Sequence, residues 1–156
     1  MNLDGPHWYR DFEILQANAN DLSTHPRFRD DSFDLVLCNA VMEHDRCFWK
    51  TVAEIKRVTR PGGLIGIGVP AYTTLPLERR FSKLARMFGR FGVPTRMLDP
   101  MQASTLTLRV HNYPGDYYRF SPQAVEEVFL EGLVEKELHT LMLPPRVIGF
   151  GVKPAQ

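Results

Sequence analysis

"DSFDLVLCNAVMEH", residues 31–44, is an apolar run that stops on Cys38-Asn39 and turns polar at Glu43-His44. Phe33 to Leu37 is continuously apolar apart from Asp34, the pattern of a parallel strand buried on both faces. Its neighbours in sequence supply the setting. Phe12-Glu13-Ile14-Leu15 reads as a short strand running into the turn-prone Ala17-Asn18-Ala19-Asn20-Asp21. Downstream, Phe48, Val52, Ile55 and Val58 recur at spacings of three and four. They predict an amphipathic helix over 48–60 that Pro61-Gly62-Gly63 terminates. Leu64 to Val69 is a third strand, stopped by Pro70. Strand, helix, strand with short joints is a right-handed crossover unit, so the expected fold is α/β with a largely parallel sheet.

The second half is less regular. Residues 71–116 are rich in Pro and Gly and read as an insertion holding one helix, Leu77 to Phe91, with Phe81, Leu84, Phe88 and Phe91 on one face. Arg79, Arg80, Lys83, Arg86 and Arg90 populate the rest. Such a helix suits either a solvated element packed on the domain or a cover over a membrane surface or an acidic substrate. Ser121-Pro122 then opens a helix that runs to Glu131 and ends at Gly132. Leu133 to Leu143 and Arg146 to Val152 form a closing antiparallel pair joined at Pro144-Pro145.

Composition narrows the classes. The chain has 156 residues, 44% hydrophobic and 24% charged, which suits one domain with a real core. With 19 Lys and Arg against 18 Asp and Glu, the net charge of +1 carries no footprint of a nucleic-acid binder. No stretch approaches the roughly 18 apolar residues of a membrane span, and the start of the chain has no apolar leader. A cytoplasmic protein without stable membrane insertion is expected. Cys38 and Cys47 lack the spacing and partners of a disulfide framework or a zinc site, and read as reduced thiols.

The polar end of the opening stretch gains meaning from its position. In open parallel sheets ligands bind outside the carboxyl ends of the strands, where diverging loops leave backbone groups facing a crevice. Three clusters fall at those ends: Asn18-Ala19-Asn20, Cys38-Asn39-Ala40 and Pro70-Ala71-Tyr72. Such residues also serve as plain turns.

Taken in order and spacing, "ILQANANDL", "DSFDLVLCNAVMEH" and "AEIKRVTRPGGLIGIGVP" resemble the central part of a class I S-adenosylmethionine-dependent methyltransferase of the type 11 kind. "DYYRFSPQAVEEVFLEGL" extends the resemblance into the later elements. It implies a Rossmann-like sheet, mostly parallel with an antiparallel C-terminal hairpin, and S-adenosylmethionine as cofactor. Asn18 takes the position of the adenine contact, where its carbonyl can accept and the backbone N–H of Ala19 can donate, with Asn20 beside them. Cys38, Asn39 and Ala40 take the stretch along the methionine arm. "CNAV" departs from the Pro-Pro-aromatic tetrapeptide of nucleobase methylases, so a small-molecule acceptor is expected. In relatives that methylate quinone precursors, a Glu-His pair with an earlier Glu holds a divalent metal. Ala40 stands at that earlier position here, and two ligands suit a hard cation poorly, so no metal is expected. His44 remains a candidate general base, an imidazole being able to exchange protons near neutrality, or else a residue that packs at the start of the next helix. Tyr72, His111, Tyr113, Tyr117, Tyr118 and Arg119 are candidate substrate contacts, since aromatic and Arg side chains both stack and hydrogen-bond.

The resemblance lacks the family's glycine-rich cofactor loop. "GLIGIG" lies inside a strand and is followed by Pro70, so it cannot serve. Met1 aligns near the end of a missing second strand, with Asn2 or Asp4 near the ribose position. Residues 1–156 therefore read as a single partial methyltransferase domain, through truncation, a misplaced start or divergence. Two expectations follow. The chain is an enzyme, or part of one, that transfers methyl to a small molecule, or it is a catalytically silent module acting through oligomerisation or binding, and cofactor binding by the isolated chain is weak or absent. The exposed edge of Phe33 to Leu37 is covered either by Phe12 to Leu15 or by a second copy.

Overall fold

The computed structural model describes residues 7–74, 90, 105–107, 115–142 and 145–155. Asn2, Asp4, His111, Tyr113 and nearly all of the expected helix Leu77 to Phe91 lie outside the described residues.

The main sheet has four strands in the order β3, β4, β8, β7: β3 (Phe33–Asn39), β4 (Thr59–Pro70), β7 (Val134–Met142) and β8 (Pro145–Val152). β3 and β4 run parallel, with Leu35 opposite Leu64 and Cys38 opposite Ile67. β8 lies antiparallel to both β4 and β7, which gives the closing hairpin expected from the sequence. Two small antiparallel ribbons stand apart from this sheet, β1 (His7–Tyr9) with β2 (Phe12–Ile14), and β5 (Tyr72–Thr74) with β6 (Thr105–Thr107).

Two expectations are corrected here. The strand at Phe12 does not join the main sheet or cover β3; it pairs with His7–Tyr9. β3 is not buried on both faces: Val36 and Cys38 pack on the core, while the face carrying Leu35 and Leu37 is left uncovered, and among the described residues β3 is also the edge of the sheet. Leu35 is 50% and Leu37 65% exposed, and β4 is the strand paired with it among the described residues. A continuous apolar run marks a strand fit for a sheet interior, but only more distant segments can supply its covers.

α1 (Phe48–Val58) connects β3 to β4 and ends two residues earlier than the Pro-Gly-Gly signal suggests. It buries Val52, Ile55 and Val58 of the predicted stripe and Thr51 beside them, while Phe48 is half-buried. Thr59 follows directly as strand, and its hydroxyl donates to Ile55 O at 2.7 Å, closing the helix end. α2 (Pro122–Ala124) starts where Ser121 Oγ accepts the Ala124 N–H at 3.0 Å, and runs on as a π-helical turn, Val125–Phe129.

Both helical segments pack on one face of the sheet. Phe48 ties them together, its ring 5.2 Å from Phe120 and 5.5 Å from Phe129 in edge-on contacts. Ile65, Ile67, Val69, Val125, Phe129 and Val147 are fully buried in that core. The opposite face carries Leu35, Leu37 and the 38%-exposed Leu64.

Candidate functional site

Successive residues of β3 point to opposite faces, and this parity separates two of the candidate ligand residues. Cys38, opposite Ile67, faces the helical side and packs against the core. Asn39, opposite Gly68, lies on the other face, where its side chain covers the glycine. Ala40 follows in a left-handed conformation, with φ of 55°, a costly geometry for a residue with a Cβ. Its N–H donates to Gly68 O at 2.9 Å, which holds the chain as it turns away from the strand.

A cavity of about 490 Å³ opens between the end of β3, α1 and the loop after β2. Ala17 and Ala19 form one wall, Cys38 and Val41 another, with Thr51 and Ile55 contributed by α1. The walls are mostly apolar. Burial pushes the Cys38 thiol up to about 11, with the carboxylates of Glu43 and Asp45 adding to the effect, so the thiol is neutral and behaves as a small apolar group. Asn18 is exposed beside this cavity and shapes its loop, its carbonyl oxygens accepting from Asn20 N at 3.1 Å and Asp21 N at 3.0 Å.

Asn20 is turned inward. Its amide donates to Asp45 Oδ2 at 2.7 Å and to Thr51 Oγ1 at 2.8 Å, while the Thr51 hydroxyl donates to the same Asp45 oxygen at 2.6 Å. The other Asp45 oxygen accepts the Cys47 N–H at 2.8 Å, at the entry to α1. Neither Asp45 nor Thr51 stands out in the sequence. Asp45, three residues before the helix, resembles a capping signal, and Thr51 reads as one more position on a helical stripe.

The carboxyl ends of β3 and β4 are crossed by a strap, residues 116–120. Tyr117 N and Tyr118 N donate to Glu43 O at 2.7 and 3.3 Å, and Phe120 N donates to Pro70 O at 3.0 Å. Arg46 donates from Nε to Tyr117 Oη at 2.9 Å and lies over the Tyr117 ring. Tyr118 Oη donates to Arg46 O at 3.1 Å, and its ring packs on Phe48. Arg119 is paired with the buried Asp116 carboxylate. The fold thus gathers His44, Tyr117, Tyr118 and Arg119 at one end of the sheet, with the 43%-exposed Tyr72 on the strand that follows β4.

Glu43 sits under the strap at 2% exposure, with Oε1 3.9 Å from His44 Nε2. Its Oε2 has no hydrogen-bond partner among the described residues. No group of three or more side chains suited to hold a metal occurs among the described residues.

Residues 2–67 match a family model described as a methyltransferase domain. Over 93% of its length the chain is 31% identical to a demethylmenaquinone methyltransferase of Symbiobacterium thermophilum. It spans 57% of that relative. Among solved structures, it resembles phosphoethanolamine N-methyltransferase 2 of Haemonchus contortus in complex with S-adenosyl-L-methionine, with a TM-score of 0.52 and 13% identity over 92% of this chain and 37% of that one. It also resembles the CurJ carbon methyltransferase, with a TM-score of 0.51 and 13% identity over 89% of this chain and 34% of that one. At such identities the structural likenesses establish the fold alone, a Rossmann-like sheet of the methyltransferase kind.

Proposed function

We propose that this chain, a relative of the class I S-adenosylmethionine-dependent methyltransferases, binds S-adenosylmethionine and serves methyl transfer to a small molecule. The observation that carries the reading is the apolar cavity at the end of β3, with Ala19 on one wall and Cys38 on the other. Small side chains on facing walls leave a slot that suits a flat aromatic base, and apolar walls with a few polar groups at the rim are the usual make-up of such sites.

In this reading Asn18 and the Ala19 backbone meet the adenine edge, with Asn20 holding their loop. Cys38 and the backbone at Ala40 follow the methionine arm, the Asn39 side chain being turned to the opposite face over Gly68, and Asn2 and Asp4 serve the ribose. When bound, the cofactor supplies the methyl group on a sulfonium that is already a good leaving group. The chain's part is alignment and the exclusion of water. His44 would accept a substrate proton, while Tyr72, His111, Tyr113, Tyr117, Tyr118 and Arg119 would hold the acceptor. A cytoplasmic setting fits the two free cysteines.

Calorimetric titration with S-adenosylhomocysteine tests the reading. Saturable binding is expected, with a dissociation constant between roughly 1 µM and 1 mM. Absence of heat at millimolar ligand would overturn it.

A second reading, self-association, is favoured by the edge of β3. An edge strand carrying Leu35 and Leu37 half or more exposed invites pairing with another copy. Light scattering on the chain and on Leu37→Lys is the check: a dimer that the lysine dissociates supports it, and a monomer at high concentration refutes it.

A further inference from the structure

We infer that Asp45 is a positioning residue that holds the two walls of the apolar cavity at a fixed separation. The inference rests on the cofactor reading for its consequence in binding, though not for its geometry.

Two of the cavity's walls come from segments far apart in sequence, the loop at Ala17 and Ala19 and the α1 face at Thr51 and Ile55. Asp45 is 8% exposed and ties the loop at Asn20 to the entry and first turn of α1. One of its oxygens takes hydrogen bonds from Asn20 and Thr51, and the other takes the Cys47 N–H. The Asn20–Thr51 bond at 2.8 Å closes a three-membered ring in which each donor has an acceptor. Hydrogen bonds to a charged acceptor are the stronger kind, and this carboxylate collects three.

The carboxylate is better placed to hold than to touch. It lies behind Thr51, which lines the cavity, and Asp45 itself does not. A second clip, Leu22 N–H donating to Glu54 Oε2 at 2.8 Å, ties the same loop to α1 one turn further along. Glu54 and Asp45 therefore fasten the loop to α1 at two points, and the Asp45 clip is the one beside Thr51, at the cavity wall.

The test pairs hydrogen exchange with binding. Asp45→Asn leaves one acceptor oxygen for two sites, so its amide N–H group faces donors at either the Asn20–Thr51 pair or the Cys47 N–H. It should speed exchange at the Asn20 and Cys47 amides and weaken S-adenosylhomocysteine by about tenfold, with the circular dichroism of the folded chain kept. The double exchange Asn20→Asp with Asp45→Asn restores one donor facing one acceptor, and should recover both protection and affinity. A merely structural aspartate at a helix entry would not be rescued by a change at position 20. Should Asp45→Asn fail to fold, Thr51→Val and Thr51→Ser decide the matter: the valine should loosen the loop and the serine should not.

Parent-like loop protection in Asp45→Asn, or in Thr51→Val where the first variant does not fold, would overturn the inference. So would a double variant as impaired as the single one. If the unaltered chain binds no S-adenosylhomocysteine, the cofactor reading falls, and exchange at the loop amides alone upholds or refutes the positioning role.

Discussion

The side-chain oxygen of Asn39 lies over Gly68, 2.5 Å from where a Cβ at position 68 would stand. β3 and β4 are in register at this pair, so the glycine provides the room in which the Asn39 amide rests. Gly66, two residues earlier on the same face, gives the same room to Leu37 and Phe150. The "GLIGIG" run is therefore glycine-rich for packing across the sheet.

Gly68→Ala should displace the Asn39 side chain and destabilise the fold by about 1–3 kcal/mol, as overpacking does. Urea unfolding measures the change. An unaltered midpoint would show that Asn39 swings away without cost.

The Cys38 thiol yields a pH prediction. Burial raises it to about 11 from an ordinary value of 9.0, so the folded state keeps its proton longer than the unfolded state does. Its contribution is complete below pH 9 and is lost as the pH rises through 11, about 3 kcal/mol at most. Unfolding free energies between pH 8 and 11 should fall more steeply for the parent than for Cys38→Ala. Equal slopes would contradict the burial argument.

Lys153 closes the C-terminal end of α1. Its ammonium donates to Lys56 O at 2.9 Å, to Thr59 O at 2.8 Å and to Asp31 Oδ1 at 2.6 Å. Lys153→Met keeps the stem and removes all three donors, which should cost about 1–3 kcal/mol through the carbonyls left behind. Thermal unfolding checks this, with Asp31→Asn as the milder control, since the exposed half of the pair is worth little.

Glu43 should behave in the opposite sense. Its carboxylate is almost fully buried, with Oε2 unmatched among the described residues, and Arg119 keeps Asp116 as partner when Glu43 is gone. Glu43→Met should leave the melting temperature unchanged or raise it by a few degrees. A fall of many degrees would show that the carboxylate supports the strap.

Much of this architecture is written in local pattern. The stripe at Phe48, Val52, Ile55 and Val58 is an i, i+4, i+7 repeat that can bury only one way, and α1 forms there. Ser121-Pro122 carries its own cap, and the two apolar runs around Pro144-Pro145 pair as a hairpin because close sequence neighbours close at low entropic cost. The polar end of β3 was legible for the same reason, since a strand's last residues are apparent where the apolar run stops.

Contacts between distant segments were decided by the tertiary structure. Strand alternation tells that Cys38 and Asn39 face opposite ways, but which face is covered depends on α1 and on Val125–Phe129, packed from elsewhere in the chain. The apolar run of β3 fits a central strand equally well, and only the final strand order leaves Leu35 and Leu37 at an edge. Asn20 reads as a turn residue until folding brings Asp45 and Thr51 against its amide, 25 and 31 residues away. Sequence determines what each group can donate, accept or bury, whereas the partner that answers it is chosen by packing between segments that share no local pattern.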